Sequence, residues 1–137
     1  MKSVTIDASA VTSWLFRGQR TGAADAFLIG SVDRRFVAPG IFAWEIGNQI
    51  GLRARGDRRE ASRMLAHLAT FAIEIAPPPD VEAVFGTIDQ ALRRNLTLFD
   101  TAYLTHALEL GTSLASRDRR LLHAAEAAGV DVFDLRD

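Results

Sequence analysis

Four carboxylates in this chain stand where their chemistry could be pooled: Asp7, Glu45, Asp100 and Asp118. Asp7 directly follows the apolar run VTI, and Asp118 closes LASRD. Asp100 interrupts LTLFDTAYLTHALELG near its start, between Phe99 and Thr101. Glu45 lies in FAWEIGNQI, where Asn48 and Gln49 follow at i+3 and i+4 and share its helical face. Each acid has an ordinary explanation on its own. Thr97 could cap a helix with Asp100 in its first turn, near the positive end of the dipole. Asp7 and Asp118 could be turn or first-turn residues, and Glu45 a surface glutamate. Four such groups brought together would repel one another, and some would need raised pKa values. A hard divalent cation removes that conflict, since Mg²⁺ or Mn²⁺ prefers carboxylate oxygens and keeps several waters. Such an ion lowers the pKa of a bound water and stabilises charge on both oxygens of a phosphodiester displacement, with no covalent nucleophile needed.

The acids can meet only if a scaffold gathers them. Five apolar stretches read as strands: SVTI (3–6), RFVA (35–38), AIEIA (72–76), TSLAS (112–116) and VDVFD (130–134). Helical patterns over 8–16, 22–31, 41–54, 59–70, 80–94, 98–110 and 119–128 fill the gaps. The clearest stripe runs over 80–94, with Val81, Val84, Phe85, Ile88, Ala91 and Leu92 spaced for one core-facing side. Pro77, Pro78 and Pro79 end the third strand and lead into that helix, capped by Asp80. Strands alternating with helices predict an α/β fold, a parallel sheet covered on both faces. The alternating patterns AIEIA and VDVFD suit edge strands, and VTI suits a buried centre. In such sheets ligands bind beyond the carboxyl ends of the strands, where strand order reverses. If strands one and four are neighbours, Asp7, Asp100 and Asp118 share that edge.

The 137 residues suit one domain, and a hydrophobic share of 48% supplies a core and argues against disorder. Cysteine is absent, which excludes disulfides and thiolate zinc sites. No apolar stretch is long enough to span a bilayer, and MKSVTIDASAV is a poor secretory signal, so a cytoplasmic location is expected. The net charge of -1 does not announce a nucleic-acid binder, yet 15 of the 16 basic residues are arginine. They cluster at Arg53, Arg55, Arg58 and Arg59, at Arg93 and Arg94, and at Arg117, Arg119 and Arg120, where guanidinium forks could hold phosphate or simply face solvent. His67, His106 and His123 lack the spacing of a zinc site.

With these residues in view, the sequence resembles a PIN-domain ribonuclease, most closely a VapC-type toxin of a toxin–antitoxin pair. VTIDASAV is similar to the family's first strand and first acid, with Ser9 after it. FAWEIGNQI is similar to the helix with the second acid, Glu45, followed by Asn48. LTLFDTAYLTHALELG carries the third acid, Asp100, after an aromatic, and LASRDRRL carries the fourth, Asp118. Ser116 stands where many members have Thr, which keeps the hydroxyl. The resemblance implies a three-layer α/β/α fold with strand order 3-2-1-4-5 and Mg²⁺-dependent cleavage of RNA. It implies metal ligands at Asp7 and Asp100, with Asp118 close by. Glu45 would orient water or hold a second ion, and Ser9 or Ser116 would hydrogen-bond the cluster.

Other enzyme classes fit less well. A haloacid-dehalogenase-like phosphatase needs a second Asp where Ser9 stands, and a receiver domain needs an Asp after AIEIA. No P-loop or G-x-G-x-x-G is present. A housekeeping RNA-processing nuclease and a non-catalytic PIN-like binding module are the remaining alternatives. A homodimer held by a cognate antitoxin is expected partly from the resemblance and partly from Trp14, Leu15, Phe16, Phe42 and Trp44. Ordinary core packing would also account for Trp14 and Leu15; if part of that surface is exposed, it forms a groove near Asp7 and Glu45 where an amphipathic segment could dock.

Overall fold

Val4, Thr5 and Ile6 have no exposed face, as befits an apolar run at the centre of a parallel sheet. The computed structural model describes every residue from Met1 to Asp137. Its five strands are β1 (Lys2–Ile6), β2 (Arg34–Ala38), β3 (Glu74–Ile75), β4 (Ser113–Ser116) and β5 (Val132–Asp134). All pair in parallel, in the order β3-β2-β1-β4-β5. Val4 sits opposite Phe36 on one side and Ser113 on the other, so β1 is the centre and strand order reverses between β1 and β4. β3 and β5 form the edges, as their alternating sequences predict. AIEIA was expected to pair over 72–76. Only Glu74 and Ile75 do so, because Ala72 has a left-handed backbone (φ 51°) and cannot extend the ladder.

The helices complete three layers, α/β/α. They are α1 (Ala8–Leu15), α2 (Gly22–Ile29), α3 (Ile41–Ala54), α4 (Arg58–Ala69), α5 (Val81–Gly86), α6 (Ile88–Arg94), α7 (Leu98–Leu110) and α8 (Arg119–Ala127). A 3₁₀ turn, Arg17–Gln19, follows α1. α1 packs with α2, α3 and α4, while α7 lies against β1 and β4 and touches α6 and α8. Gly40, just before α3, has no room for a Cβ, which would meet Pro77 O and Pro78 Cα at 2.8 Å. The triproline loop is thereby seated on the end of β2. None of these helices is long and apolar enough to cross a membrane.

Two expectations need correction. The single helix over 80–94 is two helices, broken at Gly86 and Thr87. Gly86 is a poor helix former, and Thr87 turns its hydroxyl back to the Val84 carbonyl at 2.6 Å. Its apolar stripe is also largely uncovered: only Ala91 is buried, Val84 is half-buried, and Val81, Phe85, Ile88 and Leu92 face solvent. The second correction concerns the supposed aromatic groove. Trp14, Phe16 and Phe42 are buried. The Trp14 ring packs on Phe27, Phe36 and Phe71 with centroids 5.3–6.2 Å apart, and its Nε1 donates to the Ala24 carbonyl. Of the proposed set only Trp44 stands clear, 75% exposed.

Candidate metal centre

Asp7 leaves the carboxyl end of β1 and is also the N-cap of α1, where its Oδ1 accepts the Ala10 N–H at 2.9 Å. The same oxygen accepts the Ser9 hydroxyl at 2.8 Å, and Oδ2 accepts the Ser116 hydroxyl at 2.6 Å. Each serine is held as a donor to Asp7. The Arg117 N–H donates to Ser9 Oγ at 2.9 Å, and the Asp118 N–H donates to Ser116 Oγ at 2.8 Å. A hydroxyl has one proton and two lone pairs, so a donor arriving from behind leaves the proton for the carboxylate. Lone-pair counting then fills Oδ1 and leaves one open site on Oδ2.

Asp118 repeats the pattern one strand away. It is the N-cap of α8, and its Oδ1 accepts the Arg120 and Leu121 N–H groups at 2.9 and 3.2 Å. Its Oδ2 has no protein donor. Asp100 sits in the first turn of α7, where Thr97 is the cap as expected and accepts the Asp100 N–H at 3.1 Å. Glu45, half-buried on α3, has its Oε1 engaged by the Tyr103 hydroxyl at 2.6 Å.

Electrostatics tie the four together. Burial pushes the Asp7 carboxyl up to about 6, with the Asp118 charge adding to it against the three hydrogen bonds. Asp100 is also pushed up to about 6, by burial first and then by repulsion from Asp118 and Asp7, while the Thr97 hydroxyl and Arg120 oppose. Glu45 is raised by burial and by Asp100, with the Tyr103 hydrogen bond opposing. Burial and the Glu45 carboxylate raise the Tyr103 phenol in turn. No salt bridge reaches any of the four.

The donor set is therefore hard oxygen throughout, crowded, and short of positive charge. No three acidic or imidazole groups converge tightly enough to enclose an ion by themselves. The acids do not line the cleft of about 490 Å³ between the triproline loop and α7, which Pro77, Val84, Phe99 and His106 wall.

Of the expected supporting residues, Ser9 and Ser116 both join the cluster. Asn48 does not: it is exposed and makes no side-chain hydrogen bond to the acids. Sequence reasoning missed Tyr103, which it assigns to an apolar stripe. A buried tyrosine needs a partner for its hydroxyl, and that rule was the available signal. It also grouped Arg117 with Arg119 and Arg120 as forks for phosphate or solvent, whereas the half-buried Arg117 side chain bonds to α1 and the 3₁₀ turn.

The sequence profile of the PIN domain family matches residues 4–127. Among solved structures, FitAcB from Neisseria gonorrhoeae aligns with a TM-score of 0.67 at 19% identity, over 96% of this chain and 97% of the other. FitAB bound to an IR36 DNA fragment gives 0.69 at 22% identity, over 96% and 94%. PAE2754 from Pyrobaculum aerophilum gives 0.64 at 23% identity, over 96% and 90%. At such identities the likeness is one of fold. No curated protein matches the chain.

Proposed function

Since this chain belongs to the PIN domain family, whose members are generally nucleases, we propose that it is a metal-dependent endoribonuclease that hydrolyses RNA phosphodiester bonds. One observation carries the reading: Asp7 and Asp118 cap helices with one oxygen each and keep the other partly or wholly open, inside an acid cluster that no salt bridge neutralises. Mg²⁺, or Mn²⁺, held by Asp7 and Asp100 would activate water and stabilise charge on the phosphoryl oxygens. Ser9 and Ser116 hold the Asp7 carboxylate in one orientation. Asp118 adds negative charge beside both ligands and offers its Oδ2. Glu45, fixed by Tyr103, orients the attacking water with its other oxygen. Residues 1–137 act as one domain in this reading.

Asp100→Asn and Asp7→Asn test the assignment, being nearly isosteric but stripped of the charge a cation needs. Both should abolish cleavage of RNA in Mg²⁺ while circular dichroism stays native. Full activity in either variant would sink the metal site.

We further propose that the nuclease is the toxin of a toxin–antitoxin pair, works in the cytoplasm and forms a homodimer. Support comes from the motif-by-motif resemblance to VapC-type toxins. It comes also from Trp44, an exposed indole beside Glu45 on which an antitoxin segment could seat. Co-expression with the product of a neighbouring upstream gene should give a complex and stop cleavage, and Trp44→Ala should weaken that complex with the nuclease still active. A chain that harms no cell when expressed alone and captures no such product would end the toxin reading and leave the nuclease reading standing.

A further inference from the structure

Arg117 stands between Ser116 and Asp118, yet its side chain turns away from the acids and crosses to α1. Its Nε donates to the Ser9 carbonyl at 2.7 Å. One Nη2 donates both to Thr12 Oγ1 at 3.0 Å and to Gln19 Oε1 at 2.7 Å. Its backbone N–H holds Ser9 Oγ at 2.9 Å. The loop after β4 is thus fastened to the first turn of α1, to its middle, and to the 3₁₀ turn beyond it. Every acceptor is neutral. Five other arginines pair with carboxylates on the surface, and Arg117 has none. Arg117 is half-buried, so part of its charge is moved from water onto these neutral acceptors. Here the side chain spans the two elements that carry Asp7 and Asp118; it grips the Ser9 carbonyl, the Arg117 backbone N–H holds the Ser9 hydroxyl, and Ser9 is bonded to Asp7.

We propose that Arg117 is a positioning residue for the carboxylate site, a guanidinium clasp that fixes Asp7 relative to Asp118 by tying the loop after β4 to the first turn of α1. The inference deepens the nuclease reading and rests on it for its kinetic arm only. A planar fork reaches these acceptors together, and a lysine ammonium cannot. The competing role, written into the sequence by the neighbouring Arg119 and Arg120, is a phosphate contact to substrate. The two roles differ in what they move. A clasp acts on metal affinity and kcat, and a phosphate contact acts on KM.

The test uses the full chain with Arg117→Met, Arg117→Lys and Gln19→Ala, the last leaving the guanidinium charge in place. Mn²⁺ binding is read by electron paramagnetic resonance on protein alone, and kcat and KM are read on a single-stranded RNA in Mg²⁺. Arg117→Met should weaken Mn²⁺ binding by about 10- to 100-fold, as loss of groups that orient metal ligands does. Its kcat should fall while KM stays within about twofold. Arg117→Lys should not rescue it, and Gln19→Ala should shift Mn²⁺ affinity in the same direction by about threefold. Unchanged Mn²⁺ affinity in folded Arg117→Met, or a raised KM at constant kcat, overturns the clasp. Should Arg117→Met fail to fold, unchanged affinity in Gln19→Ala overturns it. A wild-type chain that binds Mn²⁺ without cutting RNA refutes the nuclease and leaves the clasp readable, and one that binds no Mn²⁺ refutes both.

Discussion

At the scale of single residues, helix capping leaves Asp7 and Asp118 room for the proposed role at a metal. A helix cap consumes one carboxylate oxygen, and both Asp7 and Asp118 keep capacity on the other. The cost of this arrangement falls on stability. Burial pushes Asp7 up to about 6 in the fold against 3.8 for an ordinary aspartate, so between those values the folded chain binds more protons than the unfolded one. Stability of the metal-free protein must then fall as pH rises through that window, by about 3 kcal/mol for this group. Asn caps a helix as well as Asp and carries no charge. Asp7→Asn in chelating buffer should therefore melt above wild type at pH 7, and the gap should close towards pH 4. A gap that does not depend on pH would show that burial of this charge is not what strains the fold. Tyr103→Phe probes the neighbouring pair. It removes the bond that opposes the upward shift of Glu45. The acid limb of the pH–rate profile should move to higher pH, with activity lost more at pH 6 than at pH 8, at about 1 kcal/mol of stability.

At the scale of elements, the strands were legible because their signals are local and short, while the order in which they pair came only with the family resemblance. VTI between polar residues reads as a buried centre strand, and Asp7, Asp100 and Asp118 each fall at a strand end or first turn that sequence marks, whereas Glu45 lies inside α3. What stayed hidden was which apolar surfaces find partners. Trp14 and Phe42 looked like surplus at helix ends, but Trp14 is the hub of an aromatic cluster drawn from α2, β2 and the α4–β3 loop, contacts that link positions far apart in sequence. The stripe over 80–94 looked like the firmest core helix, and its outer residues face solvent. Asn48 illustrates the same limit: a helical face shared with Glu45 does not bring it to the site. The distinction between the two tryptophans is measurable. Trp14→Ala should cost about 3–5 kcal/mol in urea unfolding. Trp44→Ala should change stability by less than about 0.5 kcal/mol, as an exposed substitution does. Equal costs would mean that the buried cluster is not what holds α1 to the sheet.

At the scale of the whole molecule, two features remain unsatisfied in a lone metal-free chain: the acid cluster and the apolar outside of α5 and α6. The proposed cation would answer the first. Because the unfolded chain has no assembled site, Mg²⁺ or Mn²⁺ at 100 times its dissociation constant should stabilise the fold by about 2.7 kcal/mol. Asp100→Asn should remove most of the accompanying rise in melting temperature. The second feature sets the final prediction. Val81, Phe85, Ile88 and Leu92 recur at i, i+4, i+7 and i+11 across the helix break, with exposures of 66%, 65%, 44% and 76%. Soluble monomers seldom leave so regular an apolar row in water, and large exposed patches mark interfaces. The proposed homodimer gives this row a partner, since a two-fold axis would set it against its own copy. Phe85→Asp and Leu92→Asp should therefore turn a dimer into a monomer in sedimentation or light scattering, with the monomer's circular dichroism unchanged, because neither side chain is part of the core. The Trp44→Ala variant serves as the control, since Trp44 lies on α3, outside that row, and should leave the dimer intact. A wild-type chain that sediments as a monomer at every concentration would refute the homodimer, and a dimer that survives both substitutions would place its interface elsewhere.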